Sequence, residues 1–450
     1  MTRIKHIFPL FLVLAPLFCY GQQRTVTLQQ CIDLSHSYNP KVVNAALDEN
    51  SARATRKEVR ANWFPNVTVT ATGFRAFDPL LRIGADDVLG NGDAANNLKY
   101  YLQTTAGLSG LPTEMKLLDM GYLATLNLIQ PVYAGGRIAN GNALAAIGVK
   151  AAGVKQDMAV RDNDDAVTEK YWKIVSLTEK QKALQSAINL ISSLEGSVAP
   201  AVSAGLANKQ DLMQVKLKAK ELESDNLRLR SGLKLAKMDL FNTVGLEYNV
   251  LELDDIVLSD SFEGLSSPEN FYRDEVAAAE SKDENKLLEM SVQAKKLEKK
   301  MALGEGLPQV GVGASMGYFK FVGDTRPNAL VYAMVKIPIS DWGKTVQKIR
   351  KAQNELQKAE NDKEYLEKQL LLKVNKDWIE LQCAWEQILA AKEAVELAEL
   401  VESQKRSEYD AGLCTVNDLL KSQAELQAAR STLVDRQSEY VTALSVWAKE

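Results

Sequence analysis

The chain has two histidines and four cysteines in 450 residues. Past residue 6, His36 is the only histidine, and it reads as a packed or surface side chain near the Asn39-Pro40 step. Chemistry that leans on histidine, whether as general base or as metal ligand, has almost nothing to work with. Cys31, Cys383 and Cys414 are widely spaced, with no C-x-x-C, so they form neither a disulfide framework nor a zinc site. They read as small apolar packing residues. No phosphate-cradling glycine loop, nucleophile with a base, or defined carboxylate pair is present, so the chain is not read as an enzyme. No catalytic residue, cofactor or metal is assigned. Past the N-terminus no run reaches the ~18 apolar residues of a membrane-spanning helix. The charges nearly cancel, 54 Lys plus Arg against 58 Asp plus Glu, which excludes a basic nucleic-acid binder and an acidic disordered tail. Proline is scarce at 12, about half the usual ~5%. Residues 132–199, 201–267 and 339–450 contain none, so long uninterrupted helices are permitted there.

The N-terminus is an export signal. Arg3 and Lys5 precede the apolar stretch Ile7 to Phe18, and Cys19-Tyr20-Gly21 places small residues at −3 and −1 of a cleavage site. Residues 1–21 are the expected leader, with Gln22 first after cleavage. The alternative is a lipid anchor on Cys19, against which stands the bulky Phe18 just before it.

The rest of the chain is duplicated. Ala204-Gly205-Leu206 recurs as Ala411-Gly412-Leu413, and Asp211-Leu212 as Asp418-Leu419, both 207 residues later. Pro131-Val132 and Gly136-Arg137 return as Pro338-Ile339 and Gly343-Lys344 at the same separation. Upstream, Phe64-Pro65-x-Val67-x-Val69-x-Ala71 matches Leu307-Pro308-x-Val310-x-Val312-x-Ala314 at a separation of 243. The first copy therefore holds 36 extra residues between Pro65 and Pro131. We expect a first repeat at 22–246, a crossover at 247–272 and a second repeat at 273–450. The region 247–275 carries nine acids against the single basic Arg273, and reads as a solvated linker with some local structure.

Each copy reads as a helical stretch (about 28–60 and 270–303), then a strand alternating in period two. In the first copy Val67, Val69 and Ala71 alternate with Thr68, Thr70 and Thr72. A second strand follows, Tyr122 to Pro131 and Val331 to Pro338. Next come a long helix (about 137–200 and 344–409), a turn, and a further helix (about 208–243 and 415–448). Leu366, Leu370, Val374, Leu381, Trp385, Ile388 and Val395 mark one coiled-coil-like apolar face. At 1.5 Å per residue such a helix is roughly 90–100 Å long, so the helices must pack side by side as a rod or tube.

The strands carry aromatics at both ends. Trp63, Phe64, Tyr133 and Trp342 lie toward the helices, while Phe74, Phe77, Tyr122, Tyr318, Phe319, Phe321 and Tyr332 lie toward the far ends. Two aromatic bands about an alternating segment of about ten residues is the pattern of an outer-membrane strand. A sheet in lipid must close on itself, and four strands are too few, so several chains must share a barrel. The extra residues, about 75–120, form a polar turn-rich loop expected outside the cell. Its Asp86-Asp87 and Gly90-Asn91-Gly92-Asp93 lack calcium-loop spacing. Gly205 and Gly412 end helices in a left-handed turn. Gly135-Gly136 and Gly343 mark the strand-to-helix passage, with Pro131 and Pro338 ending the ladder.

The ordered duplication over about residues 25–448 resembles the TolC family of outer-membrane channel proteins. The resemblance implies a mainly α fold with a small β part, in which an α-helical barrel continues into a membrane β-barrel. It implies a homotrimer sharing twelve strands, four from each chain. It implies an exit duct for small molecules, recruited by a periplasmic adaptor and an inner-membrane transporter, in the outer membrane of a Gram-negative cell. The adaptor contact would be the tip turns Gly205-Leu206 and Gly412-Leu413. Type I protein secretion, or a periplasmic coiled-coil adaptor without a barrel, are the alternatives.

By the same resemblance, Asp211 and Tyr409 occupy gate positions and Asp418 the constricting ring. The gate arginine's position holds Cys414, and the second ring aspartate's position holds Lys421. Three Asp418 carboxylates facing one another in a narrow mouth would favour cations and raise the carboxylate pKa. The other reading of Asp211 and Asp418, helix N-terminal carboxylates favoured by the macrodipole, stays open.

Overall fold

A computed structural model describes residues 24–78, 81–84, 87, 90, 92–104, 114–117, 120–250, 253, 256–320 and 326–448. The expected leader 1–21, and with it Cys19, lies outside the described residues, as do Asp86, Asn91 and Phe321. The chain divides into two compact units that cut across the repeats: Ser51–Val149 with Met290–Glu360, and the remainder.

The strand-bearing unit holds β2 (Asn66–Arg75), β5 (Met120–Ala134), β7 (Gln309–Lys320) and β8 (Arg326–Lys336) in one antiparallel sheet of order β2-β5-β7-β8. The two hairpins share one register: Thr70 faces Thr125, and their counterparts at separations of 243 and 207, Gly313 and Tyr332, face each other. The extra residues of the first copy, read as a polar loop, include a second small sheet. It pairs β3 (Leu81–Gly84) with β4 (Glu114–Leu117), and a helix, α3 (Asp93–Thr104), lies between them in sequence. β5 does not stop at Pro131. The ladder passes it through a register shift between Pro131 and Tyr133 and ends at Ala134 opposite Gln309. A bulge accommodates a residue that has no N–H to donate. β8 starts earlier than expected, at Arg326, and ends at Lys336, two residues short of Pro338.

Two long helices, α4 (Arg137–Ser203) and α8 (Lys344–Asp410), each 67 residues and offset by 207, begin in the strand-bearing unit and belong mostly to the other, helical unit. They are followed by α5 (Lys209–Val244) and α9 (Val416–Ala448), whose starts keep that offset. The expected first helix is broken in two, α1 (Leu28–Tyr38) and α2 (Pro40–Ala61). Pro40 forces Asn39 out of the helical region, to ψ 122°, and then opens α2. The counterpart is likewise split, into α6 (Glu275–Ser281) and α7 (Asp283–Glu305), by extended Lys282.

Two clusters form the core of this unit. In the first, Val167, Tyr171 and Ile174 of α4 meet Val374, Trp378, Leu381 and Ile388 of α8 and Tyr440 and Trp447 of α9. Val374, Trp378, Leu381 and Ile388 step by fours, threes and seven, which puts them on one helix face. Buried polar tips from this cluster hold the crossover. Tyr171 donates to the Val26 carbonyl and to Asp260, Tyr440 to the Ser266 carbonyl, and Trp447 Nε1 to Phe271 O at 2.8 Å. Burial, and then the Asp260 bond, push the Tyr171 phenol far up, so it stays a donor. Lys237 is buried and donates to Leu253 O at 2.8 Å and Ile256 O at 2.7 Å. The crossover is therefore bound to the helices rather than solvated throughout. Leu253 and Phe262 are buried, and β6 (Ile256–Leu258) pairs in parallel with β1 (Arg24–Val26). Cys31 is buried in the same cluster and its thiol is pushed up to about 11, which fits a packing role.

Candidate functional site: the strand sheet and the helix turns

Residues facing one another across an antiparallel ladder share a face of the sheet. One face carries Val67, Leu128, Ala314 and Val331 in a row, then Val69, Leu126, Met316 and Ala329. The other carries Thr68, Asn127 and Ser315, then Thr70, Thr125 and Gly317. Ser315 donates to Asn127 Oδ1 at 2.7 Å, and Asn127 Nδ2 donates to Thr125 Oγ1 at 3.0 Å. A soluble sheet would bury its apolar face against other elements. Here Val69 is 75% exposed and Val331 85% exposed.

Register also sorts the aromatics. Tyr122 faces Gly73, Tyr318 faces Ala124, and Tyr133 faces Val310, so these three lie on the apolar face. Phe74 has the parity of the threonines and lies on the polar face. Tyr332, expected toward the far end, is corrected. Because β8 starts at Arg326, Tyr332 sits at the level of Ile129 and Asn66, toward the helices, and on the polar face. Its ring occupies the space a side chain on Gly313 would need. Phe319 pairs with Leu123 and Arg326 at the far end. Trp63, Phe64 and Trp342 lie outside the strands, exposed at the helix-proximal end.

At the strand-to-helix passages two successive residues are left-handed, Gly135 and Gly136 in the first copy and Trp342 and Gly343 in the second. Pro131 and Pro338 flank these passages from the strand side.

In the helical unit the turns repeat closely. Gly205 and Gly412 have φ of 77° and 73°. Gly205 N–H donates to Val202 O and Leu206 N–H to Ala201 O; Gly412 N–H donates to Tyr409 O and Leu413 N–H to Glu408 O. Both are Schellman closures, in which the two N–H groups after the helix satisfy its last carbonyls. Asn208 caps α5 through Gln210 N–H at 3.1 Å. Thr415 caps α9 reciprocally with Asp418. Asp418 N–H donates to Thr415 Oγ1 at 3.2 Å, while Thr415 N–H and Oγ1 donate to Asp418 Oδ2 at 3.1 and 2.7 Å. Behind the turns, Leu194 and Val198 pack with Val215, Val416 and Leu419.

Residues 289–445 match the family model described as outer membrane efflux protein. The fold is that of a TolC-like channel. The chain is similar over 94% of its length to the outer membrane protein VceC of Vibrio cholerae, with TM-score 0.75, 16% identity and 95% of that chain covered. It is similar to the MtrE outer membrane channel of Neisseria gonorrhoeae in its open state, with TM-score 0.74 and 14% identity over 94% and 88% of the two chains. The CmeC channel of Campylobacter jejuni gives TM-score 0.70 and 13% identity over 94% and 85%. No curated protein sequence matches. The matched model describes an outer membrane efflux protein, and MtrE and CmeC are outer membrane channels.

In this TolC-like fold the gate candidates Asp211 and Tyr409 come together at one end of the helical unit. Tyr409 packs against the cluster behind the turns, and its phenol is pushed up first by burial and then by the Asp211 charge. Among the described residues no hydrogen bond joins the two. Cys414, in the arginine's place, donates to the Lys405 carbonyl at 3.3 Å, and Lys405 pairs with Glu408 at 2.6 Å. Asp418 is held below the usual carboxylate range by the hydrogen bonds from Thr415, and Lys405 and Lys421 add to this. Within one chain, then, the shift is opposite in direction to that expected of a carboxylate ring. Thr415 was missed although Thr415-x-x-Asp418 is a readable capping pattern. Lys237 was missed because its acceptors, the Leu253 and Ile256 carbonyls, lie beyond the end of its helix, where no helical periodicity points to them.

Proposed function

We propose that three copies of this chain form the outer-membrane exit duct of a tripartite efflux system for small molecules. The sheet carries this reading. It has one apolar face, one polar face, and two edge strands, β2 and β8, that no strand of the chain covers among the described residues. Lipid tolerates no open edge, and three such sheets joined head to tail make twelve strands. The polar face then lines the lumen, and Tyr122, Tyr318 and Tyr133 lie on the lipid side. In this reading residues 1–21 are a leader, 22–246 and 273–450 are the repeats, and 247–272 joins them. The turns at Gly205-Leu206 and Gly412-Leu413 meet a periplasmic adaptor that links the duct to an inner-membrane transporter. Asp418 forms the constriction, with Asp211 and Tyr409 beside it.

Cell fractionation followed by planar-bilayer recording tests this. The duct is recovered from outer membranes only with detergent, as a trimer, and conducts ions. Recovery as a detergent-free periplasmic protein would overturn the proposal.

A further inference from the structure

The duplicated chain builds one joint internally and presents both halves of the same joint again, unfilled. Internally, β5 continues beyond Gln130 because β7 lies beside it, with Pro131 opposite Gly311, Tyr133 opposite Val310 and Ala134 opposite Gln309. Just past the strand Gly135 backs onto Gly304, at the end of α7. A Cβ on Gly135 would lie 2.9 Å from the Gly304 carbonyl carbon. In the second repeat the counterpart of this stretch is 337–342. β8 stops at Lys336, where its partner β7 begins, and among the described residues no strand continues beside it. Ile339 is 95% and Trp342 98% exposed. The counterpart of the receiving side is 61–68, at the open edge of β2, where Phe64 is 63% exposed and Trp63 and Val67 are also exposed.

The residues at the closest point differ in a matched way. Gly135 and Gly304 correspond to Trp342 and Ala61. Trp342 keeps the left-handed backbone of Gly135, at φ 57°, and is the only non-glycine residue of positive φ among those described. A bulky side chain in that region is strained, and a fully exposed indole gains nothing locally to offset it. The methyl group of Ala61 prevents the backbone-to-backbone approach that Gly304 allows, so a joint of this kind needs a side chain to fill its gap.

We propose that residues 337–342 of one copy pack on residues 61–68 of a second copy, with Trp342 filling the place where Gly135 and Gly304 touch. By the internal register, Pro338 falls opposite Thr68, Ser340 opposite Val67, and Asp341 opposite Asn66 of the second copy. The occupant is thus another copy of this chain, not lipid headgroups. This rests on the trimeric reading above and assigns Trp342 to its subunit seam.

Paired cysteines separate the two claims. In a Cys383→Ser, Cys414→Ser background, Ala61→Cys with Trp342→Cys tests the joint. Ala71→Cys with Val335→Cys, the counterparts of Ala314 and Leu128, tests edge closure alone. Both pairs, treated with a short bismaleimide in outer membranes, give dimer and trimer bands on denaturing gels, and the single variants give none. Bands from the edge pair without bands from the joint pair overturn the joint and leave closure standing. Bands from neither overturn closure, and the joint with it. As a second readout, Trp342→Gly relieves the backbone strain yet loses the trimer band in SDS at temperatures where the parent keeps it, and Trp342→Phe partly restores it. A Trp342→Gly trimer as heat-resistant as the parent overturns the joint.

Discussion

Gly135 and Gly136 are neighbours with the same backbone handedness but different surroundings, and substituting each with alanine separates two costs. Both have positive φ, 63° and 74°, so alanine at either carries the left-handed penalty of about 1–2 kcal/mol. Reduced freedom of the unfolded chain returns about 0.4–1 kcal/mol. At Gly136 the new methyl meets only Asn140 Nδ2 at 3.5 Å, an ordinary contact, so the net loss is about 1 kcal/mol. At Gly135 the methyl falls 2.9 and 3.0 Å from the carbonyl carbon and Cα of Gly304, with the carbonyl oxygen closer still. These are backbone atoms that cannot swing aside, and overpacking of this kind adds about 1–3 kcal/mol. Gly135→Ala should therefore lose about 2–4 kcal/mol in all. Gly304→Ala sharpens the test. In a free helix this change gains about 1 kcal/mol. Here its methyl would reach Arg137 Cγ at 2.9 Å and Gly135 C at 3.2 Å, so the gain is erased or reversed. Urea unfolding of the detergent-purified protein, followed by far-ultraviolet circular dichroism, reads all three. If Gly135→Ala costs no more than Gly136→Ala, backbone contact with Gly304 does not constrain the passage, and the reasoning fails.

Lys237→Met leaves the Leu253 and Ile256 carbonyls without their donor, at about 1–3 kcal/mol for each buried group; hydrogen exchange should rise first in 253–258, and unchanged protection there refutes the role. Asp418 has a folded pKa below its unfolded value. Its stabilising contribution is fully present above the unfolded carboxylate value of about 3.9 and is lost as pH falls through the lower folded value. Thr415→Val should move the Asp418 titration back upward in carboxyl-detected NMR, and an unmoved titration would refute the capping origin of the shift. Asp418→Asn keeps an acceptor for Thr415 but removes the charge, so block of conductance by multivalent cations should weaken. Unchanged block would take Asp418 out of the constriction. Tyr409→Phe should leave resting conductance unaltered, since no hydrogen bond ties its hydroxyl to Asp211; a leakier channel would refute that.

Much of the architecture was legible because duplication supplies an internal alignment. The match at 207 foretold a long helix in each copy, which does not depend on a distant contact. Single-residue parity was harder. Tyr332 was misplaced because nothing local shows that β8 starts at Arg326, and Pro131 did not end its strand because β7 lies alongside and the bulge absorbs the missing donor. The crossover looked solvated by its acids, yet Tyr171, Lys237, Tyr440 and Trp447 hold it from positions up to 176 residues away in sequence. At the helix turns, glycine and the Thr415-x-x-Asp418 spacing could be read directly, whereas the approach of Asp211 to Tyr409 needed the folded chain.

The Schellman closures and caps at Gly205 and Gly412 have a consequence for whatever covers them. Most exposed helix ends lean on water for their last carbonyls and first amides, and a partner that displaces this water must replace its bonds. Here several of these groups are already satisfied within the chain, among them the Ala201, Val202, Glu408 and Tyr409 carbonyls and the Gln210, Asp211 and Asp418 amides, while Leu206 and Leu413 stand exposed beside them. Dehydrating these turns therefore displaces fewer backbone-bound waters than at an uncapped helix end and removes water from two leucine side chains, which favours association. In the proposed duct, two such apolar contacts per chain, 207 residues apart, suit a surface that a partner grips firmly and still releases.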